Sequence, residues 1–262
     1  MNSAEIDRRE AEGRAMLTEA GALALHHFRR RGDLAIERKG LQDLVSIADR
    51  AVEDRLRERI AAAFPGDQVL GEERGGGEAD RLWIIDPIDG TANFLRGIPY
   101  WCVTVAFVAD GVPQLAFTYD AVHDELFAAR HGRGTTRNGQ PVRVSGCADE
   151  AEACIGISHN FTTPREAYVQ VLARLLERDM DHRRLGSAAL TLAHVADGRL
   201  DGMVAFLTNS WDVIPGLLLV AEAGGYATGF TKGHPLLQRR DVMAVTPALT
   251  DRLREASSMA RA

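Results

Sequence analysis

Cysteine is scarce in this chain, with three residues in 262, at positions 102, 147 and 154. An odd and sparse set makes no disulfide framework, so a reducing, cytoplasmic setting is expected. Basic blocks are missing as well: Lys plus Arg number 31 against 37 Asp plus Glu, for a formal charge of −6. That balance lacks the footprint of a general nucleic-acid binder and the polybasic patch of a membrane anchor. No direct nucleic-acid partner and no membrane partner is therefore expected. No run of 18 apolar residues occurs, which leaves no candidate membrane-spanning helix. The opening stretch MNSAEIDRREAEGRAML is too charged to be expected as a signal peptide. Internal repeats and low-complexity tracts are absent too. What the chain does have is 45% hydrophobic residues, enough for one or two packed cores.

Those apolar residues fall in patterns that assign elements. Leu17, Ala20, Leu23, Leu25 and Phe28 recur at near-helical spacing and predict a helix over 3–30. A short strand over 34–37 follows. A second helix over 46–63 is apolar at Ile47, Val52, Leu56 and Ile60, and Pro65-Gly66 stops it. From Val69 the pattern turns to strands, over 68–70, 82–85, 102–108, 114–119 and 124–129, with turns at Asp110-Gly111 and Asn138-Gly139. The second half alternates. Strands over 153–157, 202–205 and 242–245 are interleaved with helices over 164–177, 187–196 and 212–223 and a last helix from Pro247. Antiparallel strands followed by α/β alternation predict a layered, mixed α/β fold. A soft boundary near residue 145 divides it into an N-terminal half, 1–145, and a C-terminal half, 146–262, sharing a cleft.

The most informative segment is Trp83-Ile84-Ile85-Asp86-Pro87-Ile88-Asp89-Gly90-Thr91. A buried apolar strand runs into two carboxylates three residues apart. Pro87 keeps Asp86 out of the helical region, and Gly90 lets a ligand approach the backbone. Thr91 to Leu95 reads as a helix start, whose free N–H groups favour an anion such as phosphate. Carboxylates beside a phosphate site would repel the substrate unless cations lay between them. Two more acidic positions fit that idea: Glu72, in Gly71-Glu72-Glu73 after a strand, and Asp212, placed as the N-cap of an apolar helix containing Pro215. Taken singly, the hexapeptide also reads as a turn with a cap, Glu72 as a solvated loop residue and Asp212 as a simple cap. Together, at strand and helix ends, they form an all-oxygen set suited to Mg²⁺ rather than Zn²⁺. Phosphatases of the haloacid-dehalogenase type are excluded, because their Asp-x-Asp-Gly-Thr spaces the two carboxylates by two residues and not three. The run Gly75-Gly76-Gly77 reads as a flexible loop near the site.

At this point the chain resembles the inositol monophosphatase superfamily. The resemblance rests on Gly71-Glu72-Glu73, on Asp86-Pro-Ile-Asp89-Gly-Thr91, and on Trp211-Asp212 with Glu222-Ala-Gly-Gly225. Gly186-Ser187-Ala188-Ala189, Lys39 and Asp43-Leu-Val-Ser46-Ile-Ala-Asp49 match as well, so it spans roughly residues 39 to 225 in the family's order. It implies an α-β-α-β-α sandwich of the inositol monophosphatase/fructose-bisphosphatase type, Mg²⁺-dependent phosphomonoester hydrolysis, lithium sensitivity and a homodimer. Carried over by motif, Glu72, Asp86 and the Ile88 carbonyl would hold a first metal. Asp86, Asp89 and Asp212 would hold a second, within a total of two or three Mg²⁺ ions. Thr91, paired with Asp49, and Glu72 would orient and deprotonate the water. Asp89, Gly90, Thr91, Gly186, Ser187 and Ala188 would form the phosphate and substrate site, with Lys39 adding charge. Arg183 would bind a second anionic group or serve as a strand-edge or dimer contact. One departure bears on substrate. The family usually carries a Glu seven residues before the Trp-Asp aspartate, where it bonds sugar hydroxyls, and here that position is Ala205. The substrate is then a small soluble phosphate monoester, inositol-1-phosphate-like, with histidinol phosphate, fructose 1,6-bisphosphate and adenosine 3′,5′-bisphosphate as alternatives. Some members of the superfamily bind the transcription machinery, so a regulatory, protein-binding role is the reading from another class.

Overall fold

The computed structural model describes residues 1–31, 36–40, 43–159, 164–229 and 236–259, with strands β1 (Ile36–Gly40) and β2 (Asp43–Ser46) as backbone only. The expected strand at 34–37 overlaps β1, but its first two residues lie outside the described ones. Helix α1 (Ser3–Arg29) opens with a capping box in which the Glu5 N–H donates to Asn2 Oδ1 at 2.9 Å. Helix α2 spans Ile47–Ala63. A seven-stranded sheet then forms from β3 (Gln68–Gly71), β4 (Arg81–Asp89), β5 (Cys102–Ala109), β6 (Val112–Asp120), β7 (Glu125–Arg130), β8 (Gly134–Arg137) and β9 (Gln140–Val142), in chain order. Only β3 and β4 pair in parallel, and the 68–142 span is otherwise an antiparallel meander. Between β4 and β5 sits the short α3 (Thr91–Arg96). The expected turns are present as tight left-handed pairs, with φ of 50° and 73° at Asp110-Gly111 and 49° and 79° at Asn138-Gly139.

The second sheet joins β10 (Cys154–His159), β11 (Asp181–Arg183), β12 (Gly202–Thr208), β13 (Tyr226–Ala227) and β14 (Arg240–Val245) in the order 11-10-12-14-13. Helices α4 (Arg165–Glu177), α5 (Ala188–Ala196), α6 (Ser210–Glu222) and α7 (Thr250–Ser257) accompany it, with short 3-10 turns at Glu150–Glu152 and Pro247–Leu249.

Period-two alternation explains the layering. Trp83 and Ile85 face α1 and α2 in one core, whereas Leu82 and Ile84 face α5 and α6 in another. Met203, Ala205, Val242 and Ala244 cover α5 and α6 from the other side. Val204, Met243 and Val245 face away with α4 and α7. The result is the α-β-α-β-α sandwich, with α5 and α6 as the central layer joining both sheets. No described helix is long and apolar enough to cross a membrane.

Close approach of α1 to the first sheet depends on Gly13. A Cβ there would lie 2.4 Å from the Phe117 ring, which is itself fully buried. Gly13→Ala should therefore destabilise the chain by about 1–3 kcal/mol through overpacking, despite a helix-propensity gain of about 1 kcal/mol. A melting curve of the variant checks this, and an unchanged or raised midpoint would refute the packing argument.

Candidate active site

Strand β4 does not stop where its apolar run stops. It continues through Asp86-Pro87-Ile88 to Asp89, and its register with β5 shifts between Asp86 and Asp89. Pro87 has no N–H for a ladder bond, and the bulge accommodates it. The bulge leaves Asp86 1% exposed, with its Oδ1 accepting the Ile88 N–H at 3.0 Å. Gly90 then turns the chain into α3 with a φ of 101°, a left-handed conformation that favours glycine. The Thr91 hydroxyl lies 3.2 Å from Asp49 Oδ1 on α2 and 3.0 Å from the Ile88 carbonyl oxygen. Its one proton serves one acceptor at a time.

Asp89 faces the second half of the chain. Its Oδ2 accepts the Ser187 hydroxyl at 2.5 Å and the Ala189 N–H at 2.6 Å, at the N-terminus of α5, for which Ser187 is the N-cap. Ser187 and Ala188 thus meet Asp89 directly, Gly186 lies against Gly90 and Asn93 instead, and an internal carboxylate sits where an anion is favoured at a helix start. Asn93, unremarked in the sequence reading, clasps the same junction. Its Nδ2 donates to the Tyr100 carbonyl at 2.7 Å and the Leu185 carbonyl at 2.8 Å. Cys102 is also new: it pairs with Asp89 across β4 and β5 and brings Sγ to 4.0 Å from Asp89 Oδ2. Thirteen residues separate the two in sequence, and only the strand register reveals the contact.

Asp212 is corrected in position. The N-cap of α6 is Asn209, so Asp212 is the third helical residue, and its Oδ2 reaches back to the Asn209 N–H at 3.1 Å. Pro215 consequently lies inside the helix, where it forfeits one intrahelical hydrogen bond. The expected loop at Gly75 is tied down as well, since its carbonyl accepts from Arg57 and from the Gly71 N–H. Arg183 sits on the edge strand β11 and engages Asp181 at 2.6 Å. The side chain of Lys39 lies outside the described residues. Ala205 is fully buried in the central core.

Electrostatically, Glu72, Asp86, Asp89 and Asp212 form one group. Burial raises Asp86 well above the ordinary carboxylate range, and the charges of Glu72, Asp89 and Asp212 raise it further. Burial also raises Asp89, although the bonds from Ser187 and the α5 backbone oppose it. Asp212 is pushed up to about 7 by burial and by Asp89, against the pull of Asn209 and Arg239.

Among the described residues, no three acidic, His or Cys side chains converge closely enough to hold a metal ion as they stand. Asp86, Asp89 and Asp212 are instead drawn to N–H and O–H donors. Their chemistry nevertheless fits Mg²⁺: all-oxygen donors grouped around the buried Asp86, whose proton affinity Glu72, Asp89 and Asp212 raise. A cation among them would relieve that repulsion.

The model of the inositol monophosphatase family matches residues 7–261. The chain belongs to the inositol monophosphatase family. Among its family relatives, Nus factor SuhB of Pseudomonas aeruginosa is 36% identical over 234 residues, covering 86% of each chain. Nus factor SuhB of Escherichia coli K12 is 34% identical over 234 residues, covering 87% of this chain and 88% of its own. Solved structures agree on the fold. The extragenic suppressor protein suhB of Bartonella henselae superposes with a TM-score of 0.89 at 30% identity, over 96% of this chain and 98% of its own. An IMPase from Thermotoga maritima gives 0.82 at 32% identity, over 93% and 94%. Membership supports a phosphatase of this superfamily, and the sandwich is the family's fold.

Proposed function

We propose that the chain is a Mg²⁺-dependent phosphomonoesterase acting on a small soluble phosphate monoester, inositol-1-phosphate-like in the first instance. The observation that carries this reading is the group of acidic side chains around Asp86, which raise its proton affinity where bulge, helix start and α5 meet. Glu72, Asp86, the Ile88 carbonyl, Asp89 and Asp212 would hold two or three Mg²⁺ ions. Bound there, Mg²⁺ supplies charge stabilisation for the phosphate and the leaving oxygen and acidifies a water.

The remaining work falls to the chain's own groups. Glu72 and the Thr91 hydroxyl orient the attacking water. As the water's proton passes to Thr91 Oγ1, the threonine proton moves to Asp49 Oδ1, 3.2 Å away. Backbone N–H groups of Gly90 and Thr91 hold phosphate oxygens. Ser187 and Ala189 keep Asp89 in place from the far side of the cleft. The halves 1–145 and 146–262 each contribute to this cleft, the first supplying most of the carboxylates. Ala205 offers no hydrogen bond to a sugar hydroxyl, so this position does not select inositol. Histidinol phosphate, fructose 1,6-bisphosphate and adenosine 3′,5′-bisphosphate share the mechanism as alternatives, with Arg183 as a contact for a second anion.

Phosphate release from these four substrates, with Mg²⁺ and with EDTA, tests the reading. A preferred substrate whose release EDTA abolishes supports it, and release indifferent to EDTA contradicts it. The names of the relatives favour a second reading, a protein-binding role alongside catalysis. Capture of a specific protein by both the wild type and Asp89→Asn would support it, and capture by neither would remove it. A homodimer fits the exposed Val169 and Leu176, one face of α4, and sedimentation equilibrium at a single-chain mass would exclude it.

A further inference from the structure

Helix α2 carries a buried charge that the hydrolytic reading does not use. Glu53 is fully buried. Its Oε2 accepts the Glu73 N–H at 2.7 Å, and its Oε1 accepts the Arg74 N–H at 2.9 Å and Arg57 Nε at 2.8 Å. Arg57 in turn donates to the Gly75 carbonyl at 2.5 Å. The approach is so close that a Cβ on Gly71 would lie 2.5 Å from Glu53 Oε1. Gly71, Glu73, Arg74 and Gly75 bracket Glu72, so the turn presenting Glu72 is pinned on both sides. One helical turn earlier, on the same face, Asp49 bonds Thr91.

We infer that Glu53 is a positioning residue: with Arg57 it fixes the Glu72 carboxylate against Asp86. Helix α2 then acts as a rigid gauge, with Asp49 setting Thr91 and Glu53 setting Glu72. A buried carboxylate costs several kcal/mol unless it is fully bonded, and this one has both oxygens bonded to the backbone just beyond Glu72. Groups that orient metal-ligating carboxylates commonly govern metal affinity by about 10–100-fold. The inference rests on the proposed Mg²⁺ chemistry.

Glu53→Gln keeps the shape but turns an amide N–H toward a backbone N–H. The expected result is an Mg²⁺ half-saturation about 10–100-fold higher, read both as the Mg²⁺-induced shift in melting temperature and as phosphate release. Turnover at saturating Mg²⁺ should fall much less. Gly71→Ala, which presses a methyl group on Glu53, should reproduce the effect with the carboxylate intact, and it stands in if Glu53→Gln does not fold. Val171→Ala, in the distant core beneath α4, controls for general destabilisation and should leave the Mg²⁺ requirement unchanged. An unchanged requirement in folded Glu53→Gln or Gly71→Ala, while the wild type responds to Mg²⁺, overturns the inference alone. So does an equal shift in Val171→Ala. A wild type whose melting temperature ignores Mg²⁺ removes the hydrolytic reading and this inference together.

Discussion

Asp86→Asn should abolish Mg²⁺-dependent phosphate release and, at the same time, make the metal-free chain harder to melt. The two effects share one cause. Asp86 is buried among Glu72, Asp89 and Asp212, whose charges oppose its ionisation. A neutral amide removes that repulsion and keeps the oxygen that accepts the Ile88 N–H at 3.0 Å. The same change removes a carboxylate that would hold both metals. Loss of metal-based charge stabilisation is worth several kcal/mol, or a rate loss of about 10³-fold or more. Phosphate release and calorimetry in EDTA, run on one preparation, check both halves. Retained activity would sink the ligand assignment. A lower melting temperature in EDTA would show that the carboxylate serves the fold rather than the metal.

The second large effect is in pH. A carboxyl whose folded-state pKa lies above its unfolded value favours folding while it is protonated. That contribution is complete below about pH 4 and is lost as pH climbs through the folded value, about 7 for Asp212. Asp86 and Asp89 shift in the same direction. The metal-free chain should therefore lose stability as pH rises from about 4 to 7, by about 2–4 kcal/mol from Asp212, the lower figure allowing for its partial solvent access. Mg²⁺ should remove that loss by pairing the ionised carboxylates, so its stabilising effect should grow across the same window.

His194 works the other way. Burial lowers it to about 4, so its contribution is present above about pH 6.5 and fades as pH falls. Subtracting melting temperatures measured with and without Mg²⁺ at each pH cancels His194, whose neighbouring charges are Arg199, Glu125, His123 and Arg137 rather than the acidic group. A difference that is flat from pH 5 to 8 would refute the buried-carboxylate account.

The element order and a layered α/β class were largely legible from periodicity, whereas the five-layer sandwich followed only from the family resemblance. The unbroken apolar run Leu82, Trp83, Ile84 and Ile85 announces a strand covered on both faces, and α1 and α2 begin and end within about a residue of expectation. The motif carboxylates were equally visible, because Asp-Pro-Ile-Asp-Gly-Thr packs strand end, bulge and helix start into six residues. Other features depend on tertiary structure. Cys102 reaches Asp89 only through strand register. Asn93 spans to Leu185 over ninety-two positions. Glu53 and Arg57 look like any surface i,i+4 pair until the turn after β3 folds onto them. The start of α6 was misplaced because both Asn209 and Asp212 can cap, and the third-position acid reaching back to Asn209 settles it. Strands β8 and β9 escaped notice because they are short and polar.

The central claim is that the carboxylate group around Asp86 is a hydrolytic metal centre. The most direct test is an Mg²⁺ titration of the wild type, following phosphate release from inositol 1-phosphate and calorimetric Mg²⁺ binding on the same protein. Release should rise from nothing in EDTA with the same half-saturation as binding, and both should vanish in Asp86→Asn. Binding that persists in Asp86→Asn, or release that proceeds in EDTA, would place the chemistry elsewhere.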